Sequence, residues 1–401
     1  MYNLNTNRIK KKKLFSLLLF FTLVIAGTYL CYFNNYGYDW DTYSMINTFY
    51  NILENKTYLR SRGYGYLVPE IGIGFLSFYF GSFITNLFCF FLLICGMFFF
   101  YNFLNKEKKK NNKILLFFIL CLSNIWIIGE ATIPMDYSWS FFFLSLGAFL
   151  YSKNKIELSI LFFSLTMGSR LNFIIYIIPI IFLSEKNLEK KLIILFCVIF
   201  FGLLFFVPTW LLNGFSLDFI YSKLWFDHFR PDPIFSIISI SKFIYKIFIS
   251  INFYAFFFFI FLLYKYKFEL IKNFKLVNLF IILNLCLFFI FPWIPAHLWI
   301  FIFSFYYILV QILSYKTLLF LIFLNISTWI IQFQPIKILY THHDCFDEFV
   351  GYQVRPHFSS GFIKEIEKRK IWSKCYPLSW PEFKNLNKFS FELENGKKLY
   401  E

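Results

Sequence analysis

The chain reads as an all-α polytopic membrane protein with about eleven transmembrane helices, and three features of the sequence predict that class. Hydrophobic residues fill 59% of its 401 positions and charged residues only 15%, a balance that a soluble domain of this size does not show. The apolar residues are gathered into repeated runs, and about 20 such residues suffice to cross a hydrocarbon core. The formal charge of +16 is carried mainly at the ends of those runs, so it speaks for topology and against nucleic acid as a partner. A transmembrane barrel would alternate apolar and polar positions, whereas Phe98 to Phe100 and Phe256 to Phe259 are apolar on every side.

Arg8 and Lys10 to Lys13 precede an apolar stretch from Leu14 to Phe33. It is too long for a cleaved signal core and has no small-x-small cleavage site, so it is expected to be an uncleaved first span with the N-terminus in the cytoplasm. A polar segment, 34–66, follows. The next hydrophobic stretch, Leu67 to Gly81, is short and carries Pro69 and Glu70 at its start. If it crossed, the cluster Lys106, Lys108, Lys109, Lys110 and Lys113 would face outward, so a re-entrant or interfacial segment in the first outer loop is expected instead.

The remaining spans fall at 84–104, 114–132, 137–152, 156–169, 171–184, 192–212, 243–264, 276–292, 298–314 and 317–333. Alternation then places the lysine-rich breaks at 105–113, 153–155, 185–191 and 265–275, and Lys316, all on the cytoplasmic side. The organisation expected is a transmembrane domain over 1–333 and a small extracytoplasmic C-terminal tail over 334–401. Cys31, Cys89, Cys95, Cys121, Cys197 and Cys286 lie in or beside apolar runs and read as small hydrophobes. Cys345 and Cys375 lie in the polar tail, where an oxidising compartment would join them in a disulfide.

Chemistry-bearing residues gather in the loops assigned to the outer face. Asp39-Trp40-Asp41 places two carboxylates one residue apart, able to share a divalent cation or to let one act as base while the other tunes it. The competing structural reading is a solvated loop with an aromatic belt of Tyr36, Tyr38, Trp40 and Tyr43. Asp136, in Met135-Asp136-Tyr137 between the third and fourth spans, is a second acidic site, or else a helix N-cap. Arg170 in Gly168-Ser169-Arg170 suits a phosphate held bidentately; a snorkelling side chain is the structural alternative. His228, Arg230 and His297 add weaker candidates for substrate contacts on the same side.

The arrangement resembles the GT-C superfamily of membrane glycosyltransferases, polyprenyl-phosphate-sugar dependent and mannosyltransferase-like. Asp39-Trp40-Asp41 is similar to the acidic motif of that family's first loop, and Met135-Asp136-Tyr137 to its second acidic site. Ser61-Arg62-Gly63-Tyr64-Gly65-Tyr66 looks like the segment where bacterial members turn back to the membrane. The likeness covers the chain to about residue 185, and the tail departs from it.

What the resemblance implies is an inner-membrane transferase moving a sugar from a polyprenyl-phosphate donor to a glycan, lipid or protein acceptor on the extracytoplasmic side, with inversion. Asp41 by preference, or Asp39, would be the base. Arg170, with Arg60 or Arg62, would hold the donor phosphate, and a divalent cation such as Mg or Mn would sit among Asp39, Asp41 and Asp136. The rival readings are a surface-polysaccharide polymerase or ligase, whose large outer loop tends to come late, and a lipid-linked-substrate transporter or flippase, expected to carry ionisable residues mid-span and repeat symmetry.

Overall fold

The computed structural model describes residues 2–34, 36, 40–61, 65–105, 113–212, 260–261, 264–265, 274–290, 295–327, 335–343 and 346–354. They form a helical bundle with one small hairpin. In chain order the helices are α1 (Tyr2–Phe33), α2 (Trp40–Glu54), α3 (Leu67–Leu104), α4 (Ile114–Leu122), α5 (Ile125–Ala131), α6 (Asp136–Ser152), α7 (Ile156–Ser169), α8 (Ile174–Phe182), α9 (Leu188–Leu204), α10 (Val207–Leu212), α11 (Lys275–Ile290), α12 (Pro295–Ile312) and α13 (Tyr315–Ser327). Among the described residues two stretches, Lys12–Tyr32 and Leu67–Leu104, are long and apolar enough to cross a membrane.

Hydrogen bonds sort the helix ends into two sets. At one end Lys12 lies over the Tyr315 ring and Ser16 bonds the Tyr315 hydroxyl, while the Tyr307 hydroxyl donates to the Leu104 carbonyl. Lys113 donates to the carbonyls of Val310, Gln311 and Leu313, so the start of α4 satisfies the last turn of α12. Lys186 donates to Asn154, joining the α6–α7 and α8–α9 turns at this same basic end. The opposite end gathers the C-termini of α1, α5 and α7 with the N-termini of α3, α6 and α8, and is called here the Asp136 end.

The core is built around α12. From Trp299 to Val310 every residue is buried, as its lack of a polar stripe requires. Phe303 packs on Phe141 of α6 with ring centroids 4.5 Å apart, and Phe100 of α3 and Phe117 of α4 complete the aromatic centre. α3 packs chiefly on α6, and α6 on α7. The periphery is apolar too: Ile25 of α1 and Phe196 of α9 are 68% and 69% exposed, among many exposed Leu, Ile and Phe, whereas Glu70, Asp136 and Asn86 are fully buried. Apolar outside with polar groups paired inside is the pattern a bilayer demands.

Four elements differ from the sequence reading. Helix α1 starts well before Leu14 and runs through the lysines, which are good helix formers. The segment expected to be separate, Leu67 to Gly81, is joined to the following span as one long helix interrupted at Gly81, whose φ of 75° and ψ of −177° only glycine adopts readily. The stretch 114–132 is broken at Ser123 and Asn124 into α4 and α5. The tail adds an antiparallel hairpin, β1 (Pro335–His343) with β2 (Phe346–Val354), pairing Pro335 with Val354, which the helical class did not anticipate. Cys345, Cys375 and most of the expected span at 243–264 lie outside the described residues.

Candidate functional site

The Asp136 end is assembled from three chain segments. Asn34, just after α1, donates to both the carbonyl and the hydroxyl of Thr132, at 3.2 and 2.8 Å. Thr42, in the first turn of α2, points its hydroxyl at the Pro134 carbonyl at 3.4 Å and at Met135 Sδ at 3.2 Å. Thr42 follows Asp41 and Met135 precedes Asp136, so the two acidic segments meet although 95 positions separate those acids in sequence.

Asp136 is the first residue of α6, and its N-cap is Met135, which provides no side-chain cap. The capping role open to Asp136 in the sequence is therefore not the one its carboxylate performs. It faces Arg170 instead, taking Nε at 2.6 Å on one oxygen and Nη2 at 3.1 Å on the other. Arg170 ends α7 in an extended conformation before a 3-10 turn, Leu171–Phe173, begins the return into α8. That break swings the guanidinium inward, where it is 6% exposed and lies over the Tyr137 ring at 4.7 Å and the Tyr66 ring at 6.0 Å. Arg170 does not snorkel; it closes a buried bidentate pair.

Through Tyr66, whose ring Arg170 overlies, the same end includes a carboxylate that is not among the sequence candidates. Glu70 is fully buried in the first turn of α3. Its Oε1 accepts from the Ser61 backbone N–H at 2.9 Å, the Ser61 hydroxyl at 2.5 Å and the Tyr66 backbone N–H at 3.0 Å, and its Oε2 accepts from the Tyr58 hydroxyl at 2.8 Å. Burial, and then the neighbouring Glu70 carboxylate, pushes the Tyr58 phenol well up from its ordinary value, so it stays a donor at any working pH. Glu70, at the fourth position of α3, reaches back to the backbone N–H of the N-cap residue Tyr66, and an acid at the start of an apolar run was the available signal.

Of the residues expected to act, Asp136 and Arg170 are brought into contact, and Arg60 lies on the loop that Glu70 clasps. Asp39, Arg62, His228 and Arg230 lie outside the described residues, as do the side chains of Asp41 and His297; the backbone places Asp41 at the start of α2 and His297 at the start of α12, where α12 enters the bundle from the Asp136 end. No group of three His, Cys, Asp or Glu able to hold a metal occurs among the residues whose side chains are described. Asp136 would have to share any cation with a guanidinium that already spans both its oxygens. No protein-family model matches the chain, and no curated protein or solved structure matches it either.

Proposed function

We propose that the protein is a multi-pass membrane glycosyltransferase of the GT-C type, with about eleven spans, its basic end in the cytoplasm and its Asp136 end facing the extracytoplasmic side of the plasma membrane. The observation that carries this reading is the junction of Thr42 with Pro134 and Met135, which sets the segment bearing Asp41 against the segment bearing Asp136. The gathering of Lys12, Lys113, Lys153 and Lys186 at the opposite end supports the orientation. The apolar periphery supports the membrane.

In this reading an acceptor hydroxyl enters at the Asp136 end. Asp41, or Asp39, takes its proton as the oxygen forms a bond to the sugar's anomeric carbon. The bond from that carbon to the phosphate oxygen breaks on the opposite face, its electron pair leaves with the lipid phosphate, and the configuration inverts. The Asp136–Arg170 pair walls the site, and a guanidinium of the first loop is free to meet the departing phosphate.

A second reading, a transporter of lipid-linked substrates, rests on one observation. The break between α4 and α5 puts Asn124 against the Tyr306 hydroxyl at 2.9 Å, and Asn325 reaches the same hydroxyl at 3.2 Å and Ser123 at 3.0 Å. Broken helices with polar groups mark transport sites in many carriers. These four groups are neutral, however, and interhelical hydrogen bonding accounts for them.

Sealed vesicles of both orientations, supplied with a polyprenyl-phosphate-linked sugar and a membrane-impermeant acceptor, separate the readings. Sugar transfer to acceptor on the extracytoplasmic face is expected. Movement of the lipid-linked sugar without transfer would favour the transporter.

A further inference from the structure

The tail hairpin carries residue types that the function proposed above does not use. Two of the chain's 5 histidines, His342 and His343, end β1, and Asp347 and Glu348 stand at the start of β2. No Lys or Arg interrupts the stretch 342–348, although the chain as a whole has a formal charge of +16. An ordinary hairpin turn is not built this way. Turns favour Gly, Pro, Asn, Asp and Ser, of which only Asp occurs between positions 342 and 348, and strands are depleted in Asp and Glu. His, Asp and Glu are instead the nitrogen and oxygen ligands of zinc-type ions.

The strand register brings these residues to one end of the hairpin. Tyr340 lies opposite Glu348, Thr341 opposite Asp347 and His343 opposite Phe346. The register shifts between Thr341 and His343, so His342 is the extra residue of a bulge beside the Phe346–Asp347 step. Bulges recur next to functional sites, where they break the strict alternation of faces. Residues opposed on antiparallel strands have Cβ atoms about 4.5–5.5 Å apart, a separation that one ion with bonds of about 2.0–2.2 Å bridges.

The hairpin also has a use for such an ion. Each strand packs chiefly on the other, and a two-stranded hairpin by itself is marginal in water. A metal that clips its turn end adds stability, because in small units of this kind metal affinity is folding free energy.

We propose that this end of the hairpin, where His342 and His343 meet Asp347 and Glu348, binds a divalent transition metal of the zinc type and is ordered by it. Imidazole suits such an ion, whereas magnesium and calcium take oxygen ligands. The site does not depend on the glycosyltransferase reading, nor on the cation considered for Asp39, Asp41 and Asp136.

The test uses full-length protein without a histidine tag, purified in detergent, stripped with a chelator and titrated with zinc chloride or magnesium chloride alone. Wild type should bind a single zinc, at least about tenfold more tightly than magnesium. Zinc should slow proteolytic cleavage within 335–354, read by mass mapping, and the chelator should restore it. His342→Ala, His343→Ala and Asp347→Asn should each weaken zinc binding by about tenfold or more, a loss that even residues supporting a metal's ligands cause. His357→Ala and Cys345→Ser should bind as wild type does.

Unfolding midpoints accompany each variant, and Asp347→Asn with Glu348→Gln, which keep side-chain shape, carry the test if the histidine variants do not fold. Absence of zinc binding, undiminished binding when His342 and His343 are both replaced, or magnesium held as tightly as zinc overturns the proposal. Loss of binding in Cys345→Ser overturns the assignment to these four residues. Zinc binding by a chain that transfers no sugar would count against the glycosyltransferase reading alone and leave this proposal standing.

Discussion

Asp136→Asn removes one charge from the buried pair and leaves Arg170 facing a neutral amide in a site where its side chain is 8% exposed. Breaking a buried ion pair by removing one partner costs about 3–5 kcal/mol, a large share of the roughly 5–15 kcal/mol that holds a protein folded. The Tyr137 ring, 4.7 Å from the guanidinium, faces it before and after the substitution and leaves that difference unchanged. Arg170→Met should cost a similar amount, because it strands Asp136 at 0% exposure. The double substitution removes both charges and should lie closer to wild type than either single one. Reversible unfolding in mixed micelles gives the four midpoints of this cycle. An Asp136→Asn midpoint equal to wild type, or a double variant that loses the sum of the two singles, would refute the reasoning. The corollary concerns activity: lost turnover in Asp136→Asn reports on chemistry only if the fold is shown to survive.

Other regions give further expectations. Gly65→Ala should cost at least about 1–2 kcal/mol, because alanine is strained at φ 70° and its methyl would meet Tyr58 and Thr209; an unchanged unfolding midpoint counts against the loop geometry. Lys113→Met should cost about 1 kcal/mol by leaving three carbonyls at the end of α12 without their donor, as read from the same midpoints. Asn325→Leu should cost about 1 kcal/mol and leave sugar transfer intact; loss of substrate movement at full stability would instead support the transporter. Alkaline phosphatase fused after residue 401 should be active and one fused near residue 109 inactive, and the reverse pair would overturn the orientation.

The bundle was legible where physics is one-dimensional. Apolar runs and the lysines between them give helix positions and the alternation of ends without knowledge of packing. Where helices break was less legible: Gly81 and the Ser123-Asn124 step interrupt runs whose hydropathy is continuous, and the second is braced by Tyr306 and Asn325 from distant parts of the chain. At the candidate site, residue types identified Asp136 and Arg170 but not that they would neutralise one another, since pairing across 34 positions is set by the turn after α7. In sequence Glu70 marks only the start of an interfacial segment, whereas its four hydrogen bonds make it the anchor of the first loop.

The most direct test of the account is sugar transfer by Asp41→Asn in membranes containing a polyprenyl-phosphate-linked sugar, with Asp39→Asn and the wild type in parallel. A carboxylate that takes the acceptor proton should, when amidated, lower the rate by about 100- to 10,000-fold while expression and the unfolding midpoint stay at wild-type values. Transfer at the wild-type rate in both variants, or no transfer by the wild type from any polyprenyl-phosphate sugar, would contradict the glycosyltransferase account.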